Sequence, residues 1–201
     1  MPSYDVMPDV QLYQPTEVDD ALNLADQYGA EGWILGGGQD TYGWLKDRAK
    51  SPDALIDLNG IDALRGIRQT GDGLEIGAAT TLRDIIGNSE VKEQYSLLAD
   101  AAGRVASPQI RNVGTLGGNL IQDTRCWYYR NPAFSCYKKG GNSCPAREGN
   151  HQFGVCFDLG PCVHPHPSSI GMALLAYEAE VELCGPNEAN TSKRVSISKL
   201  Y

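Results

Sequence analysis

Apolar and polar positions along the first sixty residues switch between a strand-like and a helix-like period. Residues 10–13 are a short apolar run of strand type. Pro15 and Thr16 then mark a helix start, with Thr16 as N-cap and an acidic first turn at Glu17, Asp19 and Asp20. Ala21, Leu22, Leu24 and Ala25 supply a helical apolar face that Gly29 ends. Residues 33–35 read as a second strand, 36–38 as a tight glycine turn and 41–49 as a helix. Past the Ser51-Pro52 break, 54–58 read as a third strand. This run predicts a βαβαβ lobe. Its glycine turn follows a strand and precedes a helix, where backbone N–H groups can face a phosphate. GGGQD is not G-x-G-x-x-G, and Asp57 is the one acidic residue near the place expected about 20 positions on. A phosphate turn and a turn without ligand both fit the pattern at this point.

A second lobe is predicted from residue 61. Residues 66–69 and 74–76 flank Gly71-Asp72-Gly73, a hairpin signal. Residues 80–86 open a helix with Thr80 or Thr81 as N-cap, and 97–105 form another that closes near Ser107-Pro108. After the Pro-rich VHPHPSS, 170–177 read as helix and 179–183 as strand. Residues 195–200 alternate like the start of a further element, so the chain is expected to stop within its architecture.

Composition narrows the class. The 201 residues are 41% hydrophobic and 21% charged, values of a folded, water-soluble chain. A net charge of −8 argues against nucleic acid as partner, which needs a basic face. No apolar run approaches the roughly 20 residues of a membrane span, and the acidic N-terminus lacks the features of a signal peptide. A cytoplasmic location is the expectation. There, six cysteines read as metal ligands or reduced thiols, although an even count also suits disulfides in a secreted protein.

The chemistry concentrates in residues 111–126, RNVGTLGGNLIQDTRC. Glycines let backbone N–H groups approach a phosphate, and Thr115 and Asn119 add side-chain donors. Together with 36–41 this makes two segments able to clamp a dinucleotide. Cysteines follow at once: Cys126, Cys136, Cys144 and Cys162 are spaced C-x9-C-x7-C-x17-C. Zinc sites usually contain a tight C-x2–4-C pair. A [4Fe–4S] cluster needs four thiolates and tolerates wide spacing in a loop. Cys156 competes with Cys162 for the fourth place. Cys184, in a strand-like segment, reads as a core thiol, and His164 and His166 as exposed loop residues.

The blocks LGGGQDTYGWLKDRAKSPDALIDLNGIDALRGI, LEIGAATTLRDI and SPQIRNVGTLGGNL occur in that order. Over about residues 8–201 the chain resembles the FAD-binding medium subunit of the molybdenum hydroxylases, the xanthine dehydrogenase and carbon monoxide dehydrogenase family. The resemblance implies an α+β, two-lobed FAD-binding fold of the PCMH type, with lobes at 1–60 and 61–201 and a Cys-rich loop at 122–163. It implies that Leu35, Gly36, Gly37, Gly38, Gln39, Asp40 and Thr41 wrap the pyrophosphate, that Thr80 and Thr81 lie near the flavin, and that Gly114, Thr115, Gly118 and Asn119 complete the pocket. The family's Ser-Asp pair is Ser168-Ser169 here, so Ser169 stands where a carboxylate would bind the adenosine side.

Asp123-Thr124-Arg125-Cys126 is similar to the start of the insertion in the [4Fe–4S]-containing subgroup, which includes the 4-hydroxybenzoyl-CoA reductase β subunit and certain bacterial aldehyde oxidoreductases. By that likeness Cys126, Cys136, Cys144 and Cys162 are the ligands. The implied function is electron transfer through FAD, without catalysis on the organic substrate. The implied partners are a molybdenum-cofactor-binding large subunit, a [2Fe–2S] small subunit and an external electron donor or acceptor. The resemblance also implies a further C-terminal lobe beyond residue 201. The reading from a different class is a zinc-stabilised, non-redox binding or scaffold module.

Overall fold

Strand and helix alternate at the start as predicted: β1 (Gln11–Tyr13), α1 (Val18–Tyr28), β2 (Gly32–Leu35), α2 (Thr41–Lys46) and β3 (Ala54–Asp57). The structure is a computed structural model that describes residues 7–185 and 192–200. The three strands form a parallel sheet of order β1-β3-β2, in register with Gln11 and Gly32 both opposite Ala54. Parallel neighbours need crossovers, which the intervening segments supply. Ala54 and Ile56 of the central strand are fully buried, and Ile56 clusters with Ala21 and Ile61. Helix α1 starts one residue later than predicted: Glu17, not Thr16, is the N-cap, and no side chain caps it. Gly29 ends it at φ +46, as expected. Helix α2 stops at Lys46, short of residue 49, because the chain folds back on its own carbonyls there and Arg48 takes φ +55.

The rest of the chain adds β4 (Ile67–Thr70), β5 (Gly73–Ile76), α3 (Leu82–Gly87), α4 (Ser89–Gln94), α5 (Ser96–Gly103), α6 (Pro108–Val113), α7 (Leu116–Leu120), α8 (Trp127–Arg130), α9 (Pro145–Glu148), α10 (Ser169–Ala176), β6 (Glu180–Cys184) and β7 (Ser192–Ser196). Strands β4 and β5 are the predicted hairpin, and β6 and β7 pair antiparallel. The expected alternating element at 195–200 is the end of β7 and a 3-10 turn at Ile197–Lys199. Several helices are short, and side-chain caps start them. Thr81, Asn88, Ser107, Thr115 and Ser168 accept from the N–H of Asp84, Val91, Ile110, Gly118 and Gly171. Their apolar sides meet in one core of Leu82, Ile85, Val91, Leu98, Leu116, Leu120, Ile170 and Ile197.

Two units separate by their internal contacts. One contains Asp40–Ser51 and Gln122–Pro167, the other Asp9–Gln39, Pro52–Ile121 and Ser168–Tyr201. The larger unit holds two hydrophobic clusters, one around Ala21, Ile56 and Ile61 and the other around Leu82, Ile85 and Ile170; Ile61 and Leu64, placed by the sequence in the second lobe, pack with the first. Helix α2, which chain order assigns to the first lobe, belongs with the Cys-rich stretch instead. Trp44, 1% exposed, meets the edge of Tyr129 and the face of its ring lies 4.3 Å from the Arg130 guanidinium. No helix among the described residues is long and apolar enough to cross a membrane.

Candidate cofactor sites

The first candidate site lies where β2 and β3 end. In a parallel sheet the loops after the strands leave from one edge, where ligands of such folds bind. After β2 come Gly36, Gly37, Gly38 and Gln39, with Gly38 at φ +70. Among the described residues the N–H groups of Gly37, Gly38 and Gln39 donate to no carbonyl or side chain. Consecutive N–H groups without a protein partner are donors that an anion could engage. The loop after β3 steadies them: Asn59 Nδ2 donates to the Gly36 carbonyl at 2.7 Å. Asp57, nearly buried, accepts from the Asn59 side chain at 2.7 Å and from Gln14 at 3.1 Å. Its carboxylate is thus engaged within the fold. The residue pattern did not single out Asn59, and only its position after β3 could have suggested that it steadies this turn.

The second glycine segment is not the turn that was expected. Residues 116–120 form helix α7, and Thr115 caps it by accepting from Gly118 N at 3.2 Å. Gly114 N donates to Ile110 O, Leu116 N to Thr80 O, Gly117 N to Ala78 O and Asn119 N to Thr115 O. These donors are committed to the protein. The glycines serve close approach instead. A Cβ on Gly37 would lie 2.1 Å from the Val113 carbonyl oxygen, and one on Gly36 would lie 2.8 Å from Thr115 Oγ1. The structure therefore brings the two glycine segments together, and leaves open phosphate donors on the first.

The other flavin candidates divide in the same way. Thr80 is buried, and its hydroxyl donates to Gly66 O and accepts from Gly66 N. Thr81, half-buried, caps α3 and donates to Asp84 Oδ2 at 2.7 Å. The Asn119 side chain accepts from buried Ser168 at 2.6 Å, while Ser169, the first residue of α10, is exposed. Leu35 ends β2, and Thr41 opens α2. Asp40 pairs with Arg125 at 3.1 Å and Arg130 at 3.9 Å.

The second candidate site is a partly open cavity in the Cys-rich unit. Cys126, Cys136, Cys144 and Cys162 all line it, with Thr124, Tyr128, Tyr129, Lys138, Ala146 and His164. Cys156 is exposed and absent from its lining. Cys126 and Cys144 are the N-caps of α8 and α9, and Cys136 precedes a 3-10 turn. Three of the four sulfurs therefore sit at the start of a helical turn. No disulfide forms among the described cysteines. Among the described residues no three His, Cys, Asp or Glu side chains group tightly enough for one metal ion.

Few apolar groups hold this unit, and polar ones take their place. Tyr129 donates to Asp123 at 3.1 Å, and Lys50 stands 3.3 Å from the same carboxylate. Burial and Asp123 push the Tyr129 phenol up. Burial opposes the Lys50 ammonium, but Tyr129 and Asp123 outweigh it and raise Lys50. Lys139 donates to the carbonyls of Tyr128 and Asn131, and Lys138 to that of Pro165. His164 and His166 are half-buried, not exposed as expected, and burial lowers His164. Cys184 is exposed on β6, not a core thiol, because β6 presents most of its side chains to solvent.

Comparison with known proteins gives these sites a context. Residues 8–201 match the model of the FAD binding domain in molybdopterin dehydrogenase. The chain belongs to this family. It is 39% identical to the carbon monoxide dehydrogenase medium chain of Hydrogenophaga pseudoflava over 115 residues, which is 57% of this chain and 40% of that protein. It is 30% identical over 188 residues to the aldehyde oxidoreductase FAD-binding subunit PaoB of Escherichia coli K12, covering 92% of this chain and 58% of PaoB. An alignment of that length has to run through residues 122–163. Among solved structures, a cyanide-inactivated Cu,Mo-CO dehydrogenase matches with a TM-score of 0.56 and 32% identity, over 57% of this chain and 40% of that one. The chain spans about 40–58% of these relatives' length. It has the α+β fold of the family's FAD-binding subunits.

Proposed function

We propose that this chain holds FAD on the glycine turn after β2 and a [4Fe–4S] cluster on Cys126, Cys136, Cys144 and Cys162. In this reading it relays electrons between iron–sulfur centres and an external donor or acceptor. One observation carries it: four thiols spread over 37 residues of sequence line a single cavity, in a chain of an FAD-binding family. Their wide spacing, without a tight C-x2–4-C pair, suits a [4Fe–4S] cluster held in a loop better than a zinc site. When bound, FAD supplies the exchange between paired and single electrons.

The chain's own part is to bind and orient. Gly37, Gly38 and Gln39 offer N–H groups to the pyrophosphate. Asn59 holds that turn at Gly36. Leu35, Thr81, Gly114, Gly118, Asn119 and Ser169 are proposed flavin neighbours, and Thr80 and Thr115 act through the backbone they tie. Asp40, salt-bridged to Arg125, and Thr41 continue the turn into α2. The organic substrate is then handled elsewhere, by a molybdenum-cofactor-binding large subunit linked through a [2Fe–2S] small subunit, in a cytoplasmic enzyme. The relatives' names describe them as chains or subunits of larger enzymes, which supports that assembly.

Anaerobic purification or reconstitution, with iron, sulfide and flavin analysis and EPR, tests the reading. Cys126→Ser is expected to lose the cluster signal and keep most of the flavin, and Cys156→Ser to keep both. A protein that takes up neither flavin nor iron overturns the reading. One zinc with no iron and no flavin supports the scaffold module instead.

A further inference from the structure

Cys144 and Cys162 line the same cavity but are separated by 17 residues with no regular structure beyond the four-residue α9. That connection includes Phe153, Phe157 and Leu159, each more than two-thirds exposed, so apolar packing does little to set its path. One side chain spans it. Arg147, on α9, donates through Nε to the Pro161 carbonyl at 3.0 Å and through Nη2 to the Gly160 carbonyl. The same guanidinium meets both carboxylate oxygens of Asp158, at 3.0 and 2.5 Å. Pro161 immediately precedes Cys162, and α9 begins immediately after Cys144.

We infer that Arg147 is the positioning residue of the cysteine cavity, fastening the approach to Cys162 onto the helix that starts at Cys144. The inference rests on the cluster reading above. Only a planar fork can reach two successive carbonyls and a carboxylate together; a lysine ammonium is a single point charge. The exposed ion pair with Asp158 contributes little by itself. The carbonyl contacts set the geometry.

Arg147 also brings charge. Its guanidinium lies within electrostatic reach of Cys144, a smaller influence on it than the hydrogen bonds it donates to Asp158. Residues 122–163 carry five Lys or Arg against three Asp or Glu, in a chain of net charge −8. A cluster held by four thiolates is anionic, and net charge around it moves its reduction potential. A fixed cation favours the reduced, more negative state and so raises the potential.

Arg147→Met, Arg147→Lys and Asp158→Asn in the reconstituted 201-residue protein test this, with flavin content as the internal check on folding. Arg147→Met is expected to lose iron to a chelator about tenfold faster than the parent, the scale seen when partners of metal ligands are removed. Its cluster should also show a lower midpoint potential. Arg147→Lys keeps the charge without the fork, so its potential should stay while iron loss quickens. Asp158→Asn leaves both carbonyls to Arg147 and should retain iron like the parent. Iron retention and potential in Arg147→Met equal to the parent's overturn the inference and leave the cluster reading standing. A parent that takes up no iron overturns the cluster reading and the inference with it.

Discussion

A methyl group at Gly37 would sit 2.1 Å from the Val113 carbonyl oxygen and 2.8 Å from the Gly114 Cα, both backbone atoms with little freedom to retreat. Gly37→Ala should therefore destabilise the larger unit by about 1–3 kcal/mol, the usual cost of overpacking, and reduce bound FAD. Thermal unfolding and flavin absorbance check both. Thr80→Val should also destabilise, by about 1 kcal/mol, because it removes both hydrogen bonds that tie buried Thr80 to the Gly66 backbone. A flavin loss in Thr80→Val without loss of stability would show direct contact with the cofactor instead. Asp158 adds a pH dependence. The Arg147 hydrogen bonds hold its carboxyl below the ordinary range. A carboxyl lowered on folding stabilises above its unfolded pKa and loses that contribution as pH falls through its folded value. The stability difference between the parent and Asp158→Asn should be constant near neutrality and shrink only below about pH 4. At this scale the grouping of the cysteines was legible, since Cys126, Cys136, Cys144 and Cys162 line one pocket and Cys156 does not. Burial was not: Cys184 is exposed where a core thiol was expected, and His164 is half-buried where an exposed side chain was expected, because neighbours distant in sequence decide it.

Helix α7 shows how tertiary packing can override local preference. Gly117 and Gly118 each weaken a helix by about 1 kcal/mol relative to alanine. Yet Thr115 caps the segment and Leu116 and Leu120 enter the core. Read locally, GTLGGN is a turn, and nothing in its own residues announces the two partners that make it helical. The β2–β3 region was legible because alternation, Gly29 and the Ser51-Pro52 break all act locally. Helices α4 and α6, of six residues each, escaped notice. Their caps, Asn88 and Ser107, were visible signals. Thr115→Ala should cost about 1 kcal/mol through the lost cap. Because that cap lies beside Gly36, flavin affinity should fall with it, which a titration of the apoprotein with FAD measures.

Across the whole molecule, the glycine turn and the cysteine cavity belong to different units. Gly37→Ala and Cys126→Ser should then be additive within about 0.5 kcal/mol, as independent sites are, with flavin following the first substitution and iron the second. The family's FAD-binding fold was legible from three ordered motifs. The grouping of 40–51 with 122–167 was not, because it depends on Trp44 meeting Tyr129 and Arg130, residues more than eighty positions away.

The hydrogen bond from Ser168 to Asn119 has a consequence of another kind. These residues stand just outside the two ends of the Cys-rich stretch, and a 2.6 Å contact keeps those ends together whatever runs between them. Closing a loop costs only about 0.6 kcal/mol more for each doubling of its length. The stretch between can therefore lengthen, shorten or change its chemistry at little expense to the fold that carries it. Ser168 and Asn119 act as a socket: the segment plugged in between them can be exchanged while the frame that carries it is kept.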